Sequence, residues 1–201
     1  MANITTIFFD VGGVLLTDGW NHIARARAAE NFGYDLKDFE TRHAPLADAL
    51  DTGKISVNDY IDKVIFYKDR PFSKIDFYDF MKEQSVPIPG TLDLAAKIAA
   101  QKKYTLGTIN NESTQLNLYR LDKFHLADTF SFFFSSCFMG VKKPESELFE
   151  RALHILYKKP VETIFIDDRE ENLVAPRNLK MNTIHFENAD QLEKELRKFG
   201  V

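Results

Sequence analysis

Cysteine is almost missing from this sequence. Cys137 is the only one in 201 residues, so no disulfide can form within the chain, and a reducing compartment is the natural expectation. It lies in the apolar run Phe132-Phe133-Phe134-Ser135-Ser136-Cys137-Phe138, where it reads as a packed thiol rather than a nucleophile. An excess of positive charge is also lacking. With 26 Lys and Arg against 30 Asp and Glu the net charge is −4, which offers no electrostatic reason to expect nucleic acid or an anionic membrane as partner. No apolar stretch reaches transmembrane length, and Met1-Ala2-Asn3 has neither the basic start nor the apolar run of a targeting segment, so the expected location is the cytoplasm. Internal repeats, low-complexity tracts and heptad arrays are absent as well.

What is present suits a soluble globular protein: 44% of residues are hydrophobic, and 18 phenylalanines predict an aromatic interior. Four short apolar runs predict buried parallel strands over Thr6–Phe9, Tyr104–Ile109, Thr163–Ile166 and Thr183–Phe186, with Phe130–Phe134 a weaker fifth. Helical spacing separates them. Leu92, Ala95, Ile98 and Ala99 share one face, as do Leu148, Phe149, Ala152, Leu153 and Leu156, and a C-terminal helix over Gln191–Phe199 ends at Gly200. Strands alternating with helices of this length predict an α/β protein, a doubly wound parallel sheet.

One stretch breaks the alternation. From about Thr17 to Gln84 the pattern is helical throughout, with an Ala-rich amphipathic segment over Asn21–Phe32. Ser56-Val57-Asn58-Asp59 and Ser73-Lys74-Ile75-Asp76 resemble capping boxes with Asp in the third position. A crossover between strands needs far fewer residues, so this stretch predicts an inserted helical subdomain, with Pro87-Ile88-Pro89-Gly90 as its return hinge.

Ligands of open α/β sheets bind beyond the carboxyl ends of the strands, so the residues there decide the chemistry. They are Asp10 with Gly12 and Gly13 after the first run, Asn110 and Asn111 with Glu112 after the second, Lys142-Lys143-Pro144 after the fifth candidate, and Asp167-Asp168 after Thr163–Ile166. Taken singly, each has an ordinary reading: the Asp pair as the N-cap of a helix over Glu170–Leu179, Lys143 as a solvated loop lysine, the asparagines as turn residues. Together they are coherent. Asp10, Asp168 and Asp167 form an oxygen-rich site that suits Mg²⁺, Lys143 supplies a mobile positive charge, Asn110 has an amide for a phosphate oxygen, and the Gly12-Gly13 turn can bring backbone N–H groups close to the rest.

The order and spacing of these segments resemble the haloacid dehalogenase-like superfamily, subclass I, across nearly the whole chain. Phe9-Asp10-Val11-Gly12-Gly13-Val14-Leu15 matches the first motif, Asn110 in Thr108-Ile109-Asn110-Asn111 stands at the second, Lys143-Pro144 at the third, and Phe165-Ile166-Asp167-Asp168-Arg169-Glu170-Glu171-Asn172 at the fourth. The resemblance implies a Rossmann-like core over residues 1–16 and 88–201 with a small all-helical cap over 17–87. It further implies a Mg²⁺-dependent phosphatase of a small phosphorylated metabolite, in which Asp10 is the nucleophile and a metal ligand and Asn110 binds phosphate. Lys143 neutralises Asp10 and phosphate together, and Asp168, Asp167 and the Gly12 carbonyl complete the metal site.

Two residues depart from the family pattern. Asn110 stands where Ser or Thr is usual, and an amide can replace that donor. Gly12 stands where an Asp normally protonates the leaving group, help worth about 10²–10⁴ in rate, so the expectation is a slow enzyme unless Asp18, Glu112, His22 or His43 substitutes. A glycine there also resembles a branch holding sugar-phosphate phosphatases. Two rival functions follow from the same residues: a metal-independent 2-haloacid dehalogenase, and a non-catalytic phosphate-binding or regulatory protein. Arg42, His43, Phe66, Tyr67 and Arg70 are candidate specificity contacts in the cap, whose aromatic content leaves room for a homodimer.

Overall fold

The computed structural model describes residues 3–201. Its sheet has five parallel strands, β1 (Thr6–Phe9), β2 (Thr105–Asn110), β3 (Phe132–Ser135), β4 (Thr163–Asp167) and β5 (Asn182–His185), in the order β3-β2-β1-β4-β5. The four residues of β1 are fully buried because helices cover both faces of the sheet. Side chains alternate: Ile7 and Phe9 of β1 pack on one face with Ile164 and Ile166 of β4, and Phe8 packs on the other with Phe165. The first face is covered by α6 (Thr91–Ala100) and α11 (Ala189–Lys198), the second by α9 (Ser146–Ile155) and α10 (Glu170–Asn178).

The first strand spans Thr6–Phe9 as expected, and the limits of the other four differ from the sequence expectation by one or two residues. Phe130 is buried but precedes β3, its ring edge-on to Phe9 at 5.5 Å, so there burial comes from packing and not from a ladder. Tyr104 likewise stays outside β2 and donates its hydroxyl to the Gly200 carbonyl.

Between β1 and α6 the chain is helical: α1 (His22–Phe32), α2 (Leu36–His43), α3 (Ala47–Asp51), α4 (Val57–Val64) and α5 (Lys74–Glu83). Both capping boxes form, with Ser56 Oγ accepting from Asp59 N at 3.0 Å and Ser73 Oγ from Asp76 N at 3.1 Å. These helices enclose a second core around Trp20, Phe39, Tyr60 and Phe77, which Leu116 of α7 (Thr114–Lys123) joins from the sheet side. The chain leaves and returns side by side. Thr17 N donates to Val86 O at 2.8 Å, and Ile88 N to Leu15 O at 2.9 Å. Among the described residues no helix is long and apolar enough to cross a membrane.

Strands β2 and β3 extend one way from β1, whereas β4 and β5 lie on its other side. The strand order therefore reverses at β1, and the crevice at its carboxyl end is where this fold accepts ligands. Asp10 ends that strand, and its N–H continues the ladder by donating to Ile166 O at 2.8 Å.

Candidate active site

Above β1 and β4, carboxylate oxygens of Asp10, Asp167 and Asp168 lie within 4.8 Å of one another. Lys143 arrives from the segment between α8 (Ser136–Met139) and α9, with Nζ 2.7 Å from Asp10 Oδ2 and 2.7 Å from Asp167 Oδ2. Lys143 is 3% exposed and Asp10 6%. Burial pushes the Asp10 carboxyl well above the usual carboxylate range; the charge and hydrogen bond of Lys143 offset part of that rise, and the charges of Asp167 and Asp168 add a smaller amount to it. Burial alone would lower the Lys143 ammonium, but the two carboxylates outweigh it and hold it above its ordinary value. Three acids against one ammonium leave an excess of buried negative charge.

The two acids of β4's end have different surroundings. Asp167 is wholly buried with both oxygens engaged: Oδ1 accepts from Arg169 N at 2.9 Å and Asn172 Nδ2 at 3.0 Å, Oδ2 from Lys143. Asp168 is half-buried, and its Oδ1 is buried with no hydrogen-bond partner among the described residues. An unpartnered carboxylate oxygen beside uncompensated negative charge fits a hard divalent cation such as Mg²⁺, which accepts few protein ligands. The Asp pair does not cap α10, whose N-cap is Arg169.

Gly13 has φ +84°, and a Cβ there would lie 2.3 Å from Asp168 Cγ, so only glycine lets the turn take the Asp168 carboxylate so close. Its N–H donates to Leu16 O at 2.7 Å, which removes it from the expected phosphate cradle. Asn110 also departs from expectation. Strand parity turns its side chain toward α7, where it donates to Asn117 Oδ1 at 3.1 Å and accepts from Ser135 Oγ at 2.8 Å; it is 1% exposed and does not line the cavity. Asn111 does line it, but its amide is taken by the Lys143 backbone, Nδ2 to Lys143 O and Lys143 N to Oδ1, each 2.9 Å. It positions the lysine.

The cavity extends from Asp10, Gly12 and Lys143 into the helical insertion and measures about 490 Å³. Of the candidate specificity contacts only His43 lines it. Arg42 stacks on Tyr67 at 3.4 Å instead, and Arg70 donates to Ile65 O at 2.8 Å. Cys137 is half-buried outside it, and burial pushes its thiol up to about 11, as suits a packing role.

Gly12 has no left-handed backbone, so what it provides is space. A Cβ there would lie 3.3 Å from Asp18 Oδ1 and 3.7 Å from Arg120 Nη1. Asp18 Oδ2 accepts from Arg169 Nη2 at 2.9 Å and Asn21 Nδ2 at 3.3 Å, which leaves Oδ1 over Gly12. Glu112, by contrast, is engaged by Ser113 on Oε1 and by Arg120 on Oε2 at 3.2 Å. Sequence reasoning missed Arg120, which is 2% exposed and also holds Ser85 Oγ at 2.9 Å and Thr17 O at 3.3 Å, one group on each crossing segment. The one local signal for it is Gly19, where a Cβ would lie 1.8 Å from Arg120 Nη2.

Burial, together with the Arg25 charge, holds the His43 imidazole down at about 4 from its ordinary 6.5. Below pH 6.5 the unfolded chain takes up a proton that the fold excludes, so stability should fall from there toward pH 4 and be unaffected above that window. Urea unfolding across the window should show a shallower fall for His43→Gln than for the unaltered protein. Parallel curves would assign the acid sensitivity elsewhere.

The family model of haloacid dehalogenase-like hydrolases matches residues 4–179. The chain belongs to that family. This haloacid dehalogenase-like hydrolase is 28% identical over 171 residues to flavin mononucleotide hydrolase 1 of Arabidopsis thaliana, covering 85% of this chain and 69% of that one. It is 24% identical over 208 residues to glyceraldehyde 3-phosphate phosphatase of Pyrococcus furiosus, covering 98% and 86%. Its fold matches that of a HAD family enzyme from Bacteroides thetaiotaomicron in a magnesium complex, with TM-score 0.82 and 21% identity over 98% of this chain and 100% of the other. The same enzyme with magnesium and inorganic phosphate matches with TM-score 0.79 and 21% identity over 92% and 96%.

Proposed function

We propose that this hydrolase is a Mg²⁺-dependent phosphatase of a small phosphorylated metabolite, working through a phosphoryl group carried on Asp10. The observation that carries the reading is Asp10 paired with buried Lys143 at 2.7 Å beside the unpartnered Asp168 oxygen. Relatives named as a flavin mononucleotide hydrolase and a glyceraldehyde 3-phosphate phosphatase support it, as does a structural neighbour holding magnesium and phosphate.

Asp10, Asp168 and the Gly12 carbonyl would hold the metal, whose positive charge offsets repulsion between the carboxylate and the phosphoryl group. Asp10 forms a bond to phosphorus as the bond to the leaving oxygen breaks, and Lys143 balances charge on both partners. Asp18 Oδ1 takes the place of a carboxyl on residue 12. It gives a proton to the leaving oxygen, then accepts one from the water that displaces Asp10 and frees phosphate. The cap, placed over the crevice, sets the leaving group.

Phosphate release from a panel of sugar and nucleotide phosphates should require Mg²⁺ and stop on chelation. Release that survives chelation, or chloride release from 2-chloropropionate without metal, would sink the reading, and phosphate-analogue binding without turnover would favour a binding protein. The Asp18 assignment has its own test. Asp18→Asn should lower kcat by about 10²–10⁴, whereas Gly12→Asp, which sets a second carboxylate against Asp18, should leave kcat flat or lower it. A rise in Gly12→Asp with Asp18→Asn unaffected would show that the acid at position 12 is simply missing.

A further inference from the structure

The reach of the cavity into the helical insertion carries a second reading, which rests on the phosphatase function. Trp20 Nε1–H donates to the Tyr60 hydroxyl at 3.0 Å, and that hydroxyl lies 2.9 Å from His43 Nδ1. Tyr60 is fully buried, and its hydroxyl proton has no other acceptor among the described residues. It must therefore donate to His43 Nδ1, because the alternative leaves a buried hydroxyl proton without an acceptor. The neutral ring then carries its proton on Nε2. His43 is stacked on Phe39 with the ring planes 8° apart, which fixes its orientation, and Nε2 has no partner among the described residues. The low value at which the fold holds this imidazole keeps it neutral near pH 7.

Charge around the cavity is equally constrained. Each of the five Lys and Arg side chains lining it is already paired: Arg25 with Glu40 at 2.7 Å, Arg120 with Glu112 at 3.2 Å, Lys142 with Asp51 at 3.5 Å, Lys143 with Asp10, and Arg169 with Asp18 at 2.9 Å. At the far wall, beside Trp20 and Leu50, no cation among the described residues stands free to receive a second anionic group. From this arrangement we infer that His43 is a specificity-determining residue: its Nε2–H is a fixed, uncharged donor to a neutral oxygen of the leaving group. The substrate class is accordingly a monophosphate ester whose remainder bears hydroxyl, ether or carbonyl oxygen and no second phosphate or carboxylate.

Three measurements on the Mg²⁺-loaded full chain test this. Nitrogen-15 NMR should find His43 neutral and protonated on Nε2, with that preference lost in Tyr60→Phe. His43→Phe should raise KM for a neutral polyol phosphate roughly tenfold, the scale of one hydrogen bond, and raise it far less for phenyl phosphate, which has no such oxygen. A polyol phosphate should also be preferred over its analogue with a terminal carboxylate. A proton on Nδ1, equal loss on phenyl phosphate, or preference for the carboxylate analogue overturns the inference while leaving the phosphatase reading in place. Absence of any Mg²⁺-dependent hydrolysis, phenyl phosphate included, overturns both.

Discussion

Asp10→Asn should abolish Mg²⁺-dependent phosphate release, with kcat falling by roughly 10⁴-fold or more, the scale on which removing a catalytic nucleophile acts. An amide has the carboxylate's shape but cannot form the acyl phosphate, and it removes one unit of charge from the metal site. Asp10 Oδ1 accepts the Val11 N–H at 2.7 Å, a bond that Asn retains, so the local backbone should hold. The substitution also relieves part of the excess negative charge that Lys143 alone does not balance. Folding stability without metal should therefore stay close to that of the unaltered protein while activity disappears. A variant that keeps measurable turnover would move the chemistry away from Asp10.

Lys143→Met should be the most destabilising single change in the site. Its ammonium is buried and lies 2.7 Å from both Asp10 and Asp167. Methionine fills a similar volume, so the loss is electrostatic: two buried carboxylates face each other without a counter-charge, at a cost of about 3–5 kcal/mol. Urea unfolding without metal reads this directly. Mg²⁺ should recover more stability in the variant than in the unaltered protein, because more negative charge is left for it to balance. The deficit should also shrink as the pH falls and the carboxylates take up protons. Equal stability of the two proteins would mean that the ion pairs carry little of the energy of this site.

Residues that end a buried strand were readable from the sequence because one feature, an apolar run giving way to a polar group, locates both the strand and the site. Asp10, Asp167 and Asp168 come together in this way, and Lys143 joins them from a loop between short helices. Asn110 follows the second apolar run as expected, but it does not face the cavity. Its side chain turns to Asn117 and Ser135, a choice set by strand parity and by partners far along the chain. Gly13 reads as a turn glycine, but its closeness to Asp168 depends on how β4 docks beside β1.

The helical insertion shows the same division. Its helices and both capping boxes follow from local spacing. What they place over the core does not. Asp18 above Gly12, Arg120 holding both crossing segments, and the Trp20–Tyr60–His43 chain each join residues brought together only by tertiary packing. Arg42, Tyr67 and Arg70 have the composition of a binding surface and pair instead among themselves and with the nearby backbone.

Asp10 is the group proposed to receive the phosphoryl. Rapid acid quench of the Mg²⁺-loaded enzyme during turnover, followed by mass spectrometry of its peptides, tests that most directly. One added phosphoryl group is expected on the peptide that contains Asp10, absent in Asp10→Asn and absent after chelation. Sustained phosphate release with that peptide never modified, or with the label on another residue, would contradict it.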